Sequence, residues 1–232
     1  MTLRDGRTVA DPRLDRLIQF DERSRSHPIR ATVGGKPQRS YTWRCNQWFD
    51  QGREGACVAY ALGHELAARP SEVQGLDDPW LMGVYHAAQK ADPWPGGSYP
   101  GASPSYSGTS VLAGVKVLHS QGWFKSYRWA FGLNDLILGV GYNGPAVIGI
   151  AWYEGMYSPD ADGFIKPEGP VVGGHAILVR AVNVKDRLFT LRNSWGRDWG
   201  RDGDCLVSFD TMDRLLNEQG EAVFLMGRKS RP

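Results

Sequence analysis

The hydrophobic pattern of the sequence changes about halfway along the chain. Up to about residue 120 the apolar residues recur with helical spacing, and from about residue 145 they form short β-type runs separated by turns. Helices followed by strands are typical of α+β proteins with two unlike lobes, and 232 residues suffice for two lobes that share a cleft. The predicted helices span residues 57–68, 78–90 and 109–120, and the predicted strands span residues 145–153, 175–182, 187–194 and 205–209.

Composition and charge exclude several classes of function. Hydrophobic residues make up 41% of the chain and charged residues 22%, which predicts a packed core rather than a disordered chain. The formal net charge of +2 is too small to indicate a nucleic-acid partner. No apolar stretch approaches the roughly 18 to 20 residues of a membrane span, and the N-terminus has no secretory signal. We therefore expect a cytoplasmic protein that has no membrane partner.

Neither disulfide bridging nor the two short glycine-containing patterns predicts a functional site. Three cysteines are too few for a disulfide framework, although one bridge between Cys45 and Cys205 stays open. The segment 139–144 matches G-x-G-x-x-G, but Pro145 and a strand follow it, so a phosphate site would lack its helix N-terminus. The segment 160–163 resembles the start of a calcium loop without its later ligand positions, and it predicts a turn.

The first 40 residues differ from the rest of the chain. They contain nine Lys or Arg and five Asp or Glu residues, and only residues 17–20 look apolar. This composition predicts an arm packed on the body or a frayed tail, and an autoinhibitory or targeting segment is the functional alternative. We therefore divide the chain into an arm, residues 1–40, and a main domain, residues 41–232, whose helical part spans about 41–124 and whose β part spans about 125–232.

Three residues in separate segments could together form a thiol nucleophile site. Cys57 follows a glycine-containing turn and opens the first predicted helix, where the helix N-terminus would lower the pKa of its thiol. His175 follows two glycines and precedes an apolar strand that would hold its ring in place. Asn193 lies 18 residues further on, where its amide oxygen could accept the second imidazole N–H. These are the nucleophile, base and orienting group of thiol catalysis.

Two more side chains could support that site. Gln51 lies six positions before Cys57, so its NH₂ group could stabilise an oxyanion together with the Cys57 backbone N–H. Trp195 lies two positions after Asn193 and could shield the bond between Asn193 and His175 from water, which would strengthen that bond.

The same segments resemble the active-site segments of papain-like cysteine peptidases. The matching stretches are QGREGACVAY at 51–60, GGHA at 173–176 and NSWGRDWGRDG at 193–203, in the order of that family. The resemblance implies Cys57 as nucleophile, His175 as base, Asn193 as orienter and Gln51 as oxyanion donor. It also implies a fold with a helical first lobe, a β-barrel-like second lobe and the active site between them. The implied activity is that of a cysteine endopeptidase that cleaves peptides or proteins without a cofactor or metal.

The sequence departs from the family pattern at several positions. Glu54 stands where the family usually has a disulfide-bonded cysteine, and Val58 follows the nucleophile where many members have Trp. The absence of these cysteines fits a reducing compartment. In this respect the chain resembles bacterial and viral members of the family. Glu54 either replaces the bridge or binds a cationic group of the substrate. The long inhibitory prosegment typical of the family does not fit into about 40 residues.

The substrate surface is expected beside these catalytic residues. In the family, a glycine-rich strand before the last helix of the first lobe pairs with the extended substrate backbone. Gly108 and Thr109 are the favoured counterpart, with Gly96 and Gly97 as the second choice. Gly174 and Trp195, next to the catalytic residues, are expected to contact substrate as well. Extended pairing of this kind gives affinity, and side-chain pockets give specificity.

Two other functions remain open for the same residues. An acyltransferase or transglutaminase-like enzyme would use the same triad with an amine instead of water as the acceptor. A catalytically inactive relative would bind peptides in the same cleft. The presence of Cys57, His175 and Asn193 together favours catalysis over the second of these alternatives.

Overall fold

The computed structural model describes residues 11–16, 18, 20–92 and 108–230. Within these residues the α-helices are α1 Arg30–Val33, α2 Cys57–Ala67, α3 Asp78–Ala91, α4 Val111–Ser120, α5 Leu133–Tyr142 and α6 Phe209–Asn217, and 3-10 helices span Glu22–Ser26 and Glu154–Met156. The strands are β1 Tyr41–Thr42, β2 Ser126–Ala130, β3 Ala146–Tyr153, β4 Val171–Asn183, β5 Leu188–Arg192, β6 Asp204–Ser208 and β7 Glu221–Met226.

Helix α2 is the centre of the helical lobe. Every residue of Cys57–Ala67 is buried, because α3 and α4 pack on this helix and strands β3 and β4 lie against it. Nine of its eleven residues are apolar or glycine, and its two polar side chains are paired in the core, Glu65 with Arg228 and His64 with the Phe49 N–H. Gly114 of α4 allows the close approach, since a Cβ there would lie 2.6 Å from a methyl carbon of Leu62. The predicted helix is confirmed, but it is buried all round rather than on one face.

The second lobe is built on one antiparallel sheet. Its strand order is β2-β7-β3-β4-β5-β6, and β1 pairs with β4 beside this path. A barrel requires the end strands of the order to pair. Within the described residues β2 and β6 do not pair, so the sheet is open. The α+β class with a helical first lobe and a β-rich second lobe is therefore confirmed, and the antiparallel sheet of the second lobe is not a closed barrel.

The sheet is covered on both faces, which explains the continuous apolar runs of β3 and β4. Successive residues of a strand point to opposite faces. Val147 and Ala176 accordingly pack into the cluster that contains α2, while Ile148 and Ile177 pack into the cluster that contains α5 and α6. The first residue of α2 and the middle of β4 therefore meet where the helical lobe covers the sheet.

Several residues of the described part of the arm are packed on the body, while residues 34–40 are exposed. Ile29 and Val33 are fully buried in the cluster that contains α5, and Pro28 forms a β-bridge with Trp129 of β2. Leu14 is also fully buried in that cluster. The expectation of a packed arm thus holds for these residues, and the arm reaches both the outer edge of the sheet and the region between the lobes.

Several elements differ from the sequence prediction. The chain forms β2, α5, α6 and β7, none of which was predicted. The second-choice substrate strand at Gly96 and Gly97 lies outside the described residues. Cys45 and Cys205 are buried and free, so the bridge between them is not formed. Among the described helices, none is long and apolar enough to cross a membrane.

Candidate active site

Cys57 is the first residue of α2, and its thiol lies against β4. The side chain is 0% exposed. The backbone N–H groups of Ala176 in β4 and Asp15 in the arm approach the thiol. Because Ala176 directly follows His175, the start of α2 is brought next to the histidine. The structure therefore brings together two of the three residues that the sequence singled out.

His175 lies within β4 rather than at its start. It pairs with Ile150 of β3, and its ring is fully buried. The indoles of Trp152 and Trp195 enclose the ring, with centroids 4.7 and 5.0 Å from that of the imidazole. A position in the middle of a paired strand, between two large aromatic side chains, fixes the ring on a rigid element.

Asn193 binds His175 as expected. Its Oδ1 lies 2.8 Å from His175 Nε2. The same oxygen accepts a bond from the Ser194 backbone N–H at 2.8 Å, which identifies it as the amide oxygen rather than the nitrogen. An amide oxygen can only accept, so His175 Nε2 carries a proton and Nδ1 is left as the basic nitrogen of the neutral ring.

Gln51 connects the cysteine segment to the asparagine segment. Its Oε1 accepts a bond from Ser194 Oγ at 2.6 Å, and its backbone N–H donates to the Ser194 carbonyl at 2.9 Å. Its Nε2 donates to the Glu54 carbonyl at 2.7 Å and to the Arg13 carbonyl at 3.3 Å. The NH₂ group that was expected to meet an oxyanion thus meets a backbone carbonyl oxygen of the arm.

The arm lies in the cleft beside Cys57. The Arg16 N–H donates to the Gly174 carbonyl at 3.0 Å, and Arg16 also forms a parallel β-bridge with Thr109. A Cβ on Gly108 would overlap the Asp15 carbonyl oxygen, and a Cβ on Gly174 would overlap the Arg16 carbonyl oxygen. Bare backbone at both glycines therefore lets an extended chain pass between the lobes.

Arg13 covers the other side of the site. Its guanidinium lies 4.3 Å from the Trp195 ring centroid and 6.0 Å from that of Tyr157. The same guanidinium bonds to the Asp11 carboxylate, at 2.7 Å for the shortest contact. All four residues expected to contact substrate, namely Gly108, Thr109, Gly174 and Trp195, thus contact the arm in this structure.

Comparisons with known proteins agree with this geometry. No protein-family model matches the chain. Among solved structures, xylellain, a cysteine protease from Xylella fastidiosa, aligns with 96% of this chain and 94% of its own length, at a TM-score of 0.60 and 18% identity. The proCathepsin B S9 from Trypanosoma congolense aligns with 97% of this chain and 90% of its own length, at a TM-score of 0.64 and 14% identity. The chain has the papain-like fold.

Curated relatives match the papain-like chain over part of their length. Cathepsin B-like protease 1 of Arabidopsis thaliana is 29% identical over 139 residues, which are 53% of this chain and 36% of that protein. Cathepsin B-like cysteine proteinase 6 of Caenorhabditis elegans is 33% identical over 63 residues, 26% of this chain and 17% of that protein. The chain therefore spans about a third or less of these relatives, and its resemblance to papain-like cysteine peptidases is confirmed in sequence and in fold.

When the arm lies in the cleft, which we call the covered conformation, Cys57 and His175 are held in their neutral forms. Burial raises the pKa of Cys57 to about 11, and the nearby Ala176 N–H offsets only part of this effect. Burial also lowers the pKa of His175 to about 4, against a smaller opposing effect of the bond to Asn193. The expectation that the helix N-terminus lowers the pKa of the thiol is therefore wrong for this covered conformation, in which desolvation is the larger effect.

Three functional candidates were missed by the sequence interpretation. These are Arg13 and Arg16 in the arm and Glu221 at the start of β7. The excess of basic residues in the arm was visible in the sequence, but no role was assigned to any single one of them. Glu54, the residue proposed to bind a cation, is exposed. Glu221 instead pairs with a buried arginine in the cleft, at 2.7 Å from Arg16.

The two short glycine-containing patterns have structural roles, of which only the turn at 160–163 was predicted. Gly139 and Gly141 lie inside α5, and a Cβ on Gly139 would overlap the Phe224 ring, so close packing explains that glycine. Asp160 Oδ1 accepts bonds from the Asp162 and Phe164 backbone N–H groups, which closes a turn. Within the described ranges, no group of His, Cys, Asp and Glu residues could hold a metal ion.

Proposed function

We propose that the protein is a cysteine peptidase that uses Cys57 as nucleophile, His175 as base and Asn193 as the group that orients His175. The observation that carries this proposal is the hydrogen bond of 2.8 Å from His175 Nε2 to Asn193 Oδ1, on a strand whose next residue contacts the Cys57 thiol. This bond leaves His175 Nδ1 to accept the thiol proton. The papain-like fold supports the same assignment.

The reaction has two steps. Cys57 Sγ attacks the peptide carbonyl while its proton passes to His175, and the tetrahedral oxyanion takes bonds from Gln51 Nε2 and the Cys57 backbone N–H. The leaving amine takes the proton from His175, and a thioester remains. Water then attacks the thioester, with His175 removing its proton, and the carboxylic acid product leaves as the thiol is restored.

The position of the arm supports cleavage within a chain rather than at its end. Residues 11–16 pass beside Cys57, and the polypeptide continues from both ends of this segment. A cleft that admits a continuous chain is open at both ends, as an endopeptidase requires. Because Cys57 is fully buried beneath this segment, turnover requires the arm to leave the cleft.

The proposal is tested by labelling the full-length protein with an epoxide-based thiol probe at pH 6 to 7. We expect modification at Cys57, lost in Cys57→Ala and slowed in His175→Ala, while Cys45→Ala labels like the unmodified protein. Cys45 is the matched control because it is also a buried free thiol. Cleavage of a peptide library, followed by mass spectrometry with added amines, separates hydrolysis from acyl transfer. Labelling of Cys57 no faster than that of Cys45, with no cleavage that depends on Cys57, would refute the proposal.

A further inference from the structure

His64 is a buried histidine that the proposed mechanism does not use. It is 0% exposed and lies in α2, seven residues after Cys57. Residues i and i+7 of a helix lie on the same face, so the nucleophile and His64 share one face of α2, about two turns apart. At the start of this helix Cys57 meets β4, and further along it His64 meets the segment that leads to Gln51.

The imidazole of His64 accepts a backbone hydrogen bond. The Phe49 N–H donates to His64 Nε2 at 3.1 Å, and the two rings lie with their centroids 4.8 Å apart. Because Nε2 accepts, the proton of the neutral ring is on Nδ1. Nδ1 is buried and has no hydrogen-bond partner among the described residues. The bond to Phe49 is therefore accompanied by an unsatisfied N–H, so the histidine adds little net stability.

His64 keeps its role as acceptor near neutral pH. Burial lowers the pKa of His64 to about 3, and the charge of Arg192 adds to this effect. A protonated imidazole has two N–H donors and no acceptor, so protonation would break the bond to the Phe49 N–H. The ring stays neutral well below the pH at which a thiol and a histidine exchange a proton, and the bond persists during turnover.

Residues 49–51 connect the nucleophile helix to the asparagine segment. The Phe49 carbonyl accepts a bond from the Gly196 N–H at 3.3 Å, and the Gln51 N–H donates to the Ser194 carbonyl at 2.9 Å. The Phe49 N–H bonds to His64 of α2. Gln51, at the end of these three residues, carries the proposed oxyanion donor. Its position thus depends on both the helix and the asparagine segment.

Arg192 fixes the chain just before these residues. It directly precedes Asn193, is 3% exposed, and donates from Nη1 to the Gln47 carbonyl at 2.7 Å. The Asp204 carboxylate binds the same guanidinium through Nε. The chain is therefore held at residue 47 by the strand that carries the asparagine and at residue 49 by the helix that carries the nucleophile.

We infer that His64 is a positioning residue for the oxyanion site: by accepting the Phe49 N–H, it sets the position of Gln51 Nε2 relative to Cys57. The inference rests on the proposed peptidase function, in which Gln51 donates to the oxyanion. His64 contacts no reacting atom and acts through residues 49–51. A displacement of about 1 Å in a positioned group lowers a rate by about 100-fold. Loss of this bond should therefore weaken the tetrahedral state and spare reactions that form no oxyanion.

Two reagents separate the oxyanion site from the nucleophile in the full-length protein. With acetyl-Leu-Leu-norleucinal, the Cys57 sulfur bonds to the aldehyde carbon and the thiol proton passes to the oxygen, which lies where the substrate oxyanion would. With iodoacetamide, the thiolate displaces iodide and no oxyanion forms. Both reactions require the arm to leave the cleft, so the ratio of aldehyde affinity to alkylation rate reports the oxyanion site.

Two variants remove the acceptor in different ways. His64→Met is apolar, and His64→Asn has an amide that is too short to reach the Phe49 N–H. In either variant we expect aldehyde affinity to fall about tenfold or more while the alkylation rate is unchanged. His64→Gln, whose amide oxygen reaches further, should restore aldehyde affinity. His119→Met, which removes an exposed histidine of α4, should change neither readout. In a Gln51→Ala background His64→Met should have no further effect.

The outcomes distinguish positioning from a structural role. Unchanged aldehyde affinity in His64→Met and His64→Asn overturns the inference. A parallel loss of affinity and alkylation also overturns it, as does loss of the fold in both variants, because these results are expected of a purely structural histidine. In each case Cys57-dependent cleavage by the unmodified chain leaves the peptidase function intact. An unmodified chain that neither binds the aldehyde nor cleaves peptides refutes the peptidase function, and the inference with it.

Discussion

Acidification is expected to release the arm from the cleft through the protonation of His175. The imidazole is fully buried under the arm, and burial lowers its pKa from 6.5 to about 4. The covered conformation therefore keeps the His175 ring neutral. When the arm leaves, the ring is exposed to water and takes up a proton near pH 6.5. The charged side chains that act on the ring are those of Arg13 and Asp11, and Asn193 is its hydrogen-bond partner.

The sign and size of the effect follow from proton linkage. Between pH 6.5 and about 4 the released state binds more protons than the covered state, so the covered state loses stability as the pH falls. The lowering of the pKa from 6.5 to about 4 corresponds to about 3 kcal/mol, and most of it is already lost at pH 4.5. Above pH 6.5 this contribution to the stability of the covered conformation is fully present.

Hydrogen exchange of the arm measures this release directly. The Arg16 N–H is bonded to the Gly174 carbonyl and should be protected when the arm is in place. After correction for intrinsic exchange, we expect its protection to fall by roughly 50- to 100-fold between pH 7.5 and pH 4.5. Peptides from the core of β4 serve as an internal control, because they remain paired when only the arm leaves.

A variant isolates the histidine from other titrating groups. Burial raises the pKa of Glu221, so this carboxylate also changes charge as the pH falls. In His175→Gln the imidazole is removed while Glu221 and Arg16 remain, and most of the pH dependence should disappear. The linkage argument is refuted if arm protection does not change between pH 7.5 and 4.5, or if His175→Gln keeps the same pH dependence as the unmodified chain.

Three further predictions concern the arm, the triad and the core. Arg13→Ala should speed probe labelling of Cys57 roughly fivefold, because the arm loses a cation–π contact of about 1 kcal/mol on Trp195. Arg25→Ala removes an exposed contact on a phenylalanine and should leave the labelling rate unchanged. Asn193→Ala should lower kcat/KM about 10- to 100-fold without loss of fold by circular dichroism, since His175 loses its orienting bond. Leu62→Ala should lower the free energy of unfolding by about 2–5 kcal/mol in denaturant titration, because its side chain is fully buried.

The contacts of the proposed triad were predictable because each residue lies in a distinctive local segment. Cys57 begins a helix with clear spacing, and His175 lies in an apolar strand. Asn193 precedes a tryptophan- and glycine-rich turn. The helix and strand predictions placed these residues at the ends or in the middle of rigid elements, and the fold brought His175 and Asn193 within 2.8 Å. What the sequence could not show was burial of the whole site, since burial depends on the arm.

The position of the arm was not predictable from local pattern. Arg16 and Glu221 are separated by 205 residues, and neither lies in a periodic segment that would identify it as buried. Strand β7 was missed as well, although with six residues it is longer than β5 and β6, which have five each and were predicted. The glycines gave the one usable signal: Gly108 and Gly174 were predicted to contact an extended substrate, and they contact an extended segment of the chain itself.

The same features that suit the cleft to a peptide substrate also suit it to the arm. Bare backbone at Gly108 and Gly174 accepts any extended chain, so it gives affinity without preference. Glu221 adds a specific contact to the arm, because its carboxylate forms a buried ion pair with Arg16. A change at Glu221 should therefore weaken retention of the arm. A change at Arg13, which belongs to the arm alone, should alter retention and leave substrate choice intact.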